Sequence, residues 1–140
     1  MQILVSFWGV VLAAASSMAI GMLWYSDNMF GKSWKKMIGT TDKQMKKNMG
    51  PATGILVLTS LLTAYILDHF VNYAHNFMAV SWMSAGVQTA LWAWLGFGLT
   101  TIVAHGVFEP RDRQLMLINA GNRLASLLAM GIILGYFLGR

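Results

Sequence analysis

Asn119, Asn122, Arg123 and Ser126 fall at i, i+3, i+4 and i+7, which on a helix is one face. An arginine beside two amides is a concentration of hydrogen-bond donors, and its planar fork suits a carboxylate or a phosphate. The stripe interrupts an apolar run from Gln114 to Leu138, and ionisable residues inside such runs are candidates for function. No acid accompanies Arg123 at its depth. Asp68 ends an earlier apolar run at the opposite surface, and Glu109 and Asp112 lie in the connection before this one.

A second reading stands beside anion binding. Helical side chains lean toward the helix N-terminus, so Arg123 can snorkel to water and lipid phosphate, with Asn119 and Asn122 lining its route. That is common for long basic side chains near helix ends. Arg123 lies eight residues past Leu115, roughly 12 Å into the span at about 1.5 Å per residue. Equal depth on the first and second apolar runs reaches Ser17 and Ser60, with Thr59 beside Ser60. Thr100 and Thr101 on the third lie nearer the surface. The spacing predicts a polar layer at one level, with Arg123, Asn119, Asn122, Ser17 and Ser60 as candidates for holding an anion or a lipid headgroup.

Other chemistry is thin. There is no cysteine, hence no thiol and no thiolate metal site. Asp68, His69, Asn72 and His75 cluster in sequence, but the histidines are six apart, off a common helical face, and one acid is too few for a metal site. A solvated interfacial loop is expected there, with Phe70, Tyr73, Phe77 and Trp82 in the headgroup belt. His105 is expected as a boundary residue. The eleven methionines are dispersed, as adaptable packing requires. Trp92 and Trp94 are two positions apart, about 200° around a helix, and cannot line one pocket face. No nucleophile with its base, carboxylate pair, phosphate loop or dinucleotide fingerprint occurs. No catalytic residue, metal or cofactor is therefore expected, and an intramembrane enzyme acting on lipid has the least support.

The elements that carry these residues are membrane spans. The chain has 140 residues, 56% hydrophobic and 11% charged, against about 25% charged in soluble domains. A bilayer core of about 30 Å needs roughly 20 apolar helical residues. One transmembrane domain over 1–140 is predicted, with spans of about 3–25, 51–70, 80–104 and 114–138. Pro51 is expected in the first turn of the second span. A cleaved signal peptide is disfavoured for the first, because no positive side chain precedes it and the apolar run continues past Ala15.

Lys32, Lys35, Lys36, Lys43, Lys46 and Lys47 fill the first connection, and Arg111 and Arg113 lie in the third. The second has no lysine or arginine. The positive-inside rule then predicts a cell (inner) membrane protein with loops 1 and 3 cytoplasmic and both termini outside. The net charge of +5 accordingly points to anionic lipid on the cytoplasmic side and not to nucleic acid. Phe30, Trp34, Met37 and Ile38 share one helical face in the first connection while Lys32, Lys35 and Lys36 lie off it, the pattern of an interfacial amphipathic segment. Trp24 and Tyr25 mark the adjoining headgroup boundary. A further helix is expected from Thr41, whose spacing to Gln44 suits a capping box.

Small residues recur every four positions at Gly9, Ala13, Ser17 and Gly21, at Gly121, Ala125 and Ala129, and at Gly131, Gly135 and Gly139. Such rows let membrane helices approach closely. Two rows on the last span give it two packing faces, which serve the bundle, a partner or both. The fold predicted is all-α, an integral membrane four-helix bundle with a basic amphipathic interfacial segment between helices 1 and 2.

The run Gly21-Met22-Leu23-Trp24-Tyr25-Ser26, followed by Phe30-Gly31-Lys32-Ser33-Trp34, resembles the signature of a family of small bacterial membrane proteins, domain of unknown function 1761. Trp94-Leu95-Gly96-Phe97, Ile118-Asn119 and Met130-Gly131-Ile132-Ile133-Leu134 are similar to that family's C-terminal half. The resemblance implies four spans and carries no established activity. After Asn119 the chain departs from the family pattern, which continues Gly-Tyr where this chain has Ala120, Gly121, Asn122 and Arg123.

Two functions follow from these expectations. The first is a non-enzymatic bundle that binds lipid or a partner, as a homo-oligomer or as an accessory subunit of a larger membrane assembly. The second is a small carrier or channel for an anionic solute, with its site around Arg123.

Overall fold

The computed structural model describes residues 4–108 and 112–140. Ile3, at the expected start of the first span, and Glu109 and Arg111 of the third loop lie outside the described residues. Helices account for the fold: α1 (Phe7–Trp24), α2 (Gly31–Ile38), α3 (Asp42–Met78), α4 (Trp82–Ala93), a π-helical segment (Trp94–Leu99), α5 (Thr100–Phe108) and α6 (Arg113–Leu138). No strand occurs among the described residues. α1, α3, the rod from α4 to α5, and α6 are each long and apolar enough to cross a membrane. The protein is an all-α membrane bundle of four such helices.

Each long helix starts where a short polar side chain caps it. Ser6, Thr41, Ser81 and Asp112 accept from the amides of Gly9, Gln44, Ser84 and Gln114, satisfying donors that a helix start leaves open. At Thr41 the box is reciprocal, the Gln44 side chain accepting from the Thr41 amide at 3.0 Å. α2 ends on Gly39 in the left-handed region, φ +69°, where glycine carries no steric cost.

The span boundaries differ from expectation at α3. Pro51 lies inside the helix instead of opening it. A proline there removes one ladder bond, but it sits on an exposed stretch, where its ring meets no neighbouring helix. The second connection is also shorter than expected. The helix continues to Met78, and only Ala79–Ser81 turn the chain, Ala79 adopting φ 50°. The His75 Nδ1 donates to the Val80 carbonyl at 2.7 Å and its ring stacks on Trp82. That clasp holds a conformation a non-glycine residue otherwise avoids.

The long helices run antiparallel in sequence order. Gly9 near the start of α1 meets Phe137 near the end of α6, while Trp24 at the end of α1 reaches Ile118 near the start of α6. The closest approach is between α4 and α6. Gly86 and Gly131 face each other so tightly that a Cβ on either would strike the other's backbone carbonyl, and a Cβ on Gly135 would come within 2.6 Å of the Trp82 carbonyl. The row Gly131, Gly135, Gly139 is thus spent inside the bundle against α4. Of the first row, Gly9 and Ala13 are buried, whereas Gly21 faces open space.

α3 joins the bundle over only half its length. Ala64, Leu67, Asp68, Val71 and Asn72 are buried, but every residue from Pro51 to Thr59 is exposed. The stripe that packs inward at Ala64 and Val71 continues through Val57, and nothing covers it there.

Substituting Gly131 or Gly86 by alanine should destabilise the fold by about 1–3 kcal/mol, because the added methyl overpacks backbone against backbone. Gly54→Ala, at a position with nothing within 4 Å, should be neutral or stabilise by about 0.4–1 kcal/mol. Chemical unfolding of the three variants in one detergent measures the contrast.

Candidate functional site

α6 presents the predicted stripe toward the bundle. Arg123 shares its helical face with Leu127, Met130 and Leu134 at i+4, i+7 and i+11, and all three are buried. Arg123 itself is exposed. At its level the inward side of α6 faces the region that the first half of α3 has left. Arg123 makes no ion pair among the described residues.

The π-helical segment shapes the other flank. Its Trp94 donates from Nε1 to the Ala120 carbonyl at 2.9 Å, and Gly98, one turn on, lies beside the Arg123 stem. A Cβ on Gly98 would stand 3.3 Å from the Arg123 Cγ. Single turns of π-helix recur at functional sites because the altered register re-aims side chains. Here it turns Trp94 onto α6 and leaves Trp92 exposed on another face.

Around Arg123 the candidates divide. Asn119 is engaged, its Oδ1 accepting from the Tyr25 hydroxyl at 2.9 Å. Asn122 is half-buried, and its Nδ2 is buried without an acceptor among the described residues. Ser126 is buried. Ser17 and Ser60 are half-buried and hydrogen bond to neither Arg123, Asn119 nor Asn122. Of the candidates, Arg123 and Asn122 keep open donors as chain neighbours about 100° apart around α6, whereas Asn119 is taken by Tyr25.

Trp24 and Tyr25, expected only at a headgroup boundary, are turned into the bundle. Trp24 donates from Nε1 to the Ile118 carbonyl at 3.0 Å, and its ring lies over Gly121, whose Cβ would come within 2.8 Å of it. Phe30 and Trp34 pack on Trp24 and Tyr25 in turn, ring centroids 4.9 Å apart in each pair. The aromatics before and within α2 thus dock onto the end of α1. Ala125, expected as a packing residue, is half-buried. Lys32 and Lys36 are exposed, whereas Lys35 bridges Asp27 at 2.6 Å and Asp42 at 2.7 Å, tying the turn after α1 to the start of α3.

At the other end of the bundle the expected loop is instead helix, buried at Asp68, Val71 and Asn72 and exposed at Phe70, Tyr73 and Phe77. Asp68 and Asn72 have 0% exposure. Asn72 bonds to both backbone groups of Leu4, a partner 68 positions away that local composition does not announce. Among the described residues no group of three His, Cys, Asp or Glu could hold a metal ion. An open apolar groove of about 400 Å³ lies between α3 and the α4 rod, lined by Phe70, Tyr73, Phe77, Trp92 and Phe97 among others. It carries none of the stripe.

A family model described as "Protein of unknown function (DUF1761)" matches residues 8–135. The chain belongs to that family. The match runs from the second residue of α1 to Gly135 on α6, so it takes in the Trp24–Gly121 contact, the π-helical segment and the polar stripe of this family member. No curated protein and no solved structure matches the chain.

The Lys35 clasp has a defined pH range. The Asp27 hydrogen bond, then the Asp42 hydrogen bond, raise the Lys35 ammonium above its ordinary value; the Lys35 hydrogen bond holds Asp42 below its ordinary value. A depressed carboxyl contributes above its unfolded value and is lost as pH falls through its folded one. A raised ammonium contributes below its unfolded value and is lost as pH rises through its folded one. The clasp therefore holds throughout the neutral range. A spin label at Asn28 should be immobilised at neutral pH and mobile only at about pH 2, well below the ordinary aspartate value of about 3.9. Lys35→Met should make it mobile at both.

Proposed function

We propose that this protein is a non-enzymatic membrane helix bundle that binds an anionic phospholipid, its phosphate held by Arg123 and Asn122. The carrying observation is the position of Arg123. It lies on the face of α6 that is core one turn later, yet it is exposed, because α3 has left the bundle there. Two donors one residue apart, a guanidinium without an acid and an amide nitrogen without an acceptor, are complementary to an anion. The uncovered apolar flank of α3 at Ile55, Leu56 and Leu58 offers the surface along which an acyl chain or a partner helix would lie. The positive-inside rule places this end, with the α2 lysines, at the cytoplasmic leaflet, where anionic lipids concentrate.

Self-association and an accessory role in a larger assembly belong to the same reading. Their support is the flank of α3, since the glycine row of α6 is already used against α4. A carrier for an anionic solute is the second reading. It is favoured by the stripe facing the bundle interior and by the π-helical segment beside Arg123, a break of the kind transporters place at binding sites.

Native mass spectrometry of protein released from native-lipid nanodiscs tests the proposal. Wild type should retain an anionic phospholipid that Arg123→Leu binds at least about tenfold more weakly, as expected for losing a charge-assisted hydrogen bond of about 1.5–3 kcal/mol. Identical lipid profiles would overturn it. A retained soluble anion lost in the variant would favour the carrier.

A further inference from the structure

We propose that Asp68 is a proton-binding site covered by a latch, the segment Leu4–Ser6 that leads into α1. This proposal is independent of Arg123, which lies at the opposite end of the bundle.

Asp68 is fully buried. Its Oδ1 has no hydrogen-bond partner among the described residues, and its Oδ2 receives one long bond, 3.4 Å, from Asn72 Nδ2. The Ser6 backbone amide acts on the carboxyl from the α1 side. A carboxylate buried with so little compensation is expensive, whereas the neutral acid is tolerated.

The cover is specific. Asn72 accepts from the Leu4 amide at 3.1 Å and donates to the Leu4 carbonyl at 3.1 Å, a two-way bond like a strand pair. The same Nδ2 donates to the Asp68 carbonyl at 2.9 Å, so the latch is fastened to the turn that carries the acid. Leu4 and Val5 are themselves about half exposed, so the cover is a single layer of chain.

Among the described residues, the titratable group that acts on the carboxyl is His69, from α3 itself. α1 and α4 contain no titratable side chain. α6 brings Tyr136, on whose ring Arg140 is stacked at 4.8 Å. On α3 itself the ring of His69 packs on Tyr65, with Nδ1 against the Tyr65 carbonyl, and Asn72 is neutral. A metal ion would need several oxygen or nitrogen ligands. One acid is present, and the Asn72 Oδ1 is already taken by Leu4. A proton is the ligand that fits.

The step is simple. With the latch down, Oδ1 carries the proton. When the latch lifts, water at the end of the bundle bearing both chain termini reaches the carboxyl and accepts that proton; the ionised group keeps its water until a proton returns. Occupancy and latch position are then two readouts of one equilibrium.

Infrared spectroscopy of the protein in nanodiscs tests occupancy, since the chain has only five Asp and Glu residues. Wild type at mildly acidic pH should show a protonated-carboxyl band that shifts in heavy water and is absent in Asp68→Asn. Without that band the proposal fails. Hydrogen exchange of the N-terminal peptide tests the latch. Raising the pH until the band disappears should accelerate exchange at Leu4–Ser6 by about tenfold or more relative to Asp68→Asn at the same pH. Exchange that tracks the variant at every pH would overturn the coupling. Asn72→Ala keeps the acid and cuts the latch, so it should exchange fast already at the mildly acidic pH where wild type is protected; protection equal to wild type there would overturn the latch.

Discussion

Two glycines meeting across a helix crossing set the geometry of this bundle. Gly86 and Gly131 have no side chain to hold α4 and α6 apart, so the two backbones touch, and Gly135 repeats the contact one turn on against the Trp82 carbonyl. In a bilayer, where lipid is as apolar as leucine, helices gain from such contact through dispersion over many atoms and not through expulsion of water. With α4 pressed to α6 near one end of the bundle, the rod running from it must pass the rest of α6 closely as well. The π-helical turn and Gly98 accommodate that passage, and Trp94 fills it by donating to a carbonyl of α6. α1 seats on the neighbouring face of α6 through Trp24 over Gly121. α6 is therefore the axis of the bundle, and α3, which touches it least, is the element free to depart.

The two ends of the molecule differ because of that arrangement. At the end with the termini, α1, α3, α4 and α6 are all in contact, and the polar groups between them are largely matched, Asn72 with Leu4, His75 with Val80, Asn76 with Asn72. At the end with α2, three elements remain together and the fourth stands off. Unmatched donors then collect on the open side. Closure at one end and openness at the other are consequences of one helix being shared by all the others over only part of its length.

Much of this was legible in the residues. Apolar run length, helical spacing and the Thr41–Gln44 interval are local properties, and they located in turn the four long helices, the amphipathic α2 and the capping box. The spacing of Asn119, Asn122, Arg123 and Ser126 marked the stripe. Its surroundings were not legible, because they depend on where α3 goes. The residues from Asp68 to Asn76 read as a solvated loop on account of their polarity, yet His69, Asn72, His75 and Asn76 engage backbone groups, one of them 68 positions distant. Pro51 read as a helix start, but an exposed helix tolerates one missing bond in its interior. The π-helical turn left only a trace in composition, two glycines close behind Trp94, and Trp24 gave no sign that its indole is aimed inward.

α3 is 37 residues long, about 55 Å at helical rise, and it is gripped only from Ala64 onward. Mechanically it is a lever whose fulcrum lies among Ala64, Leu67 and Val71. A swing of about 10° there carries the Asp42 end through roughly 6 Å. Lys35 tethers that moving end to the turn after α1, so the α2 segment travels with it or restrains it. Small adjustments deep in the packed end are thereby magnified into displacement at the lysine-rich surface.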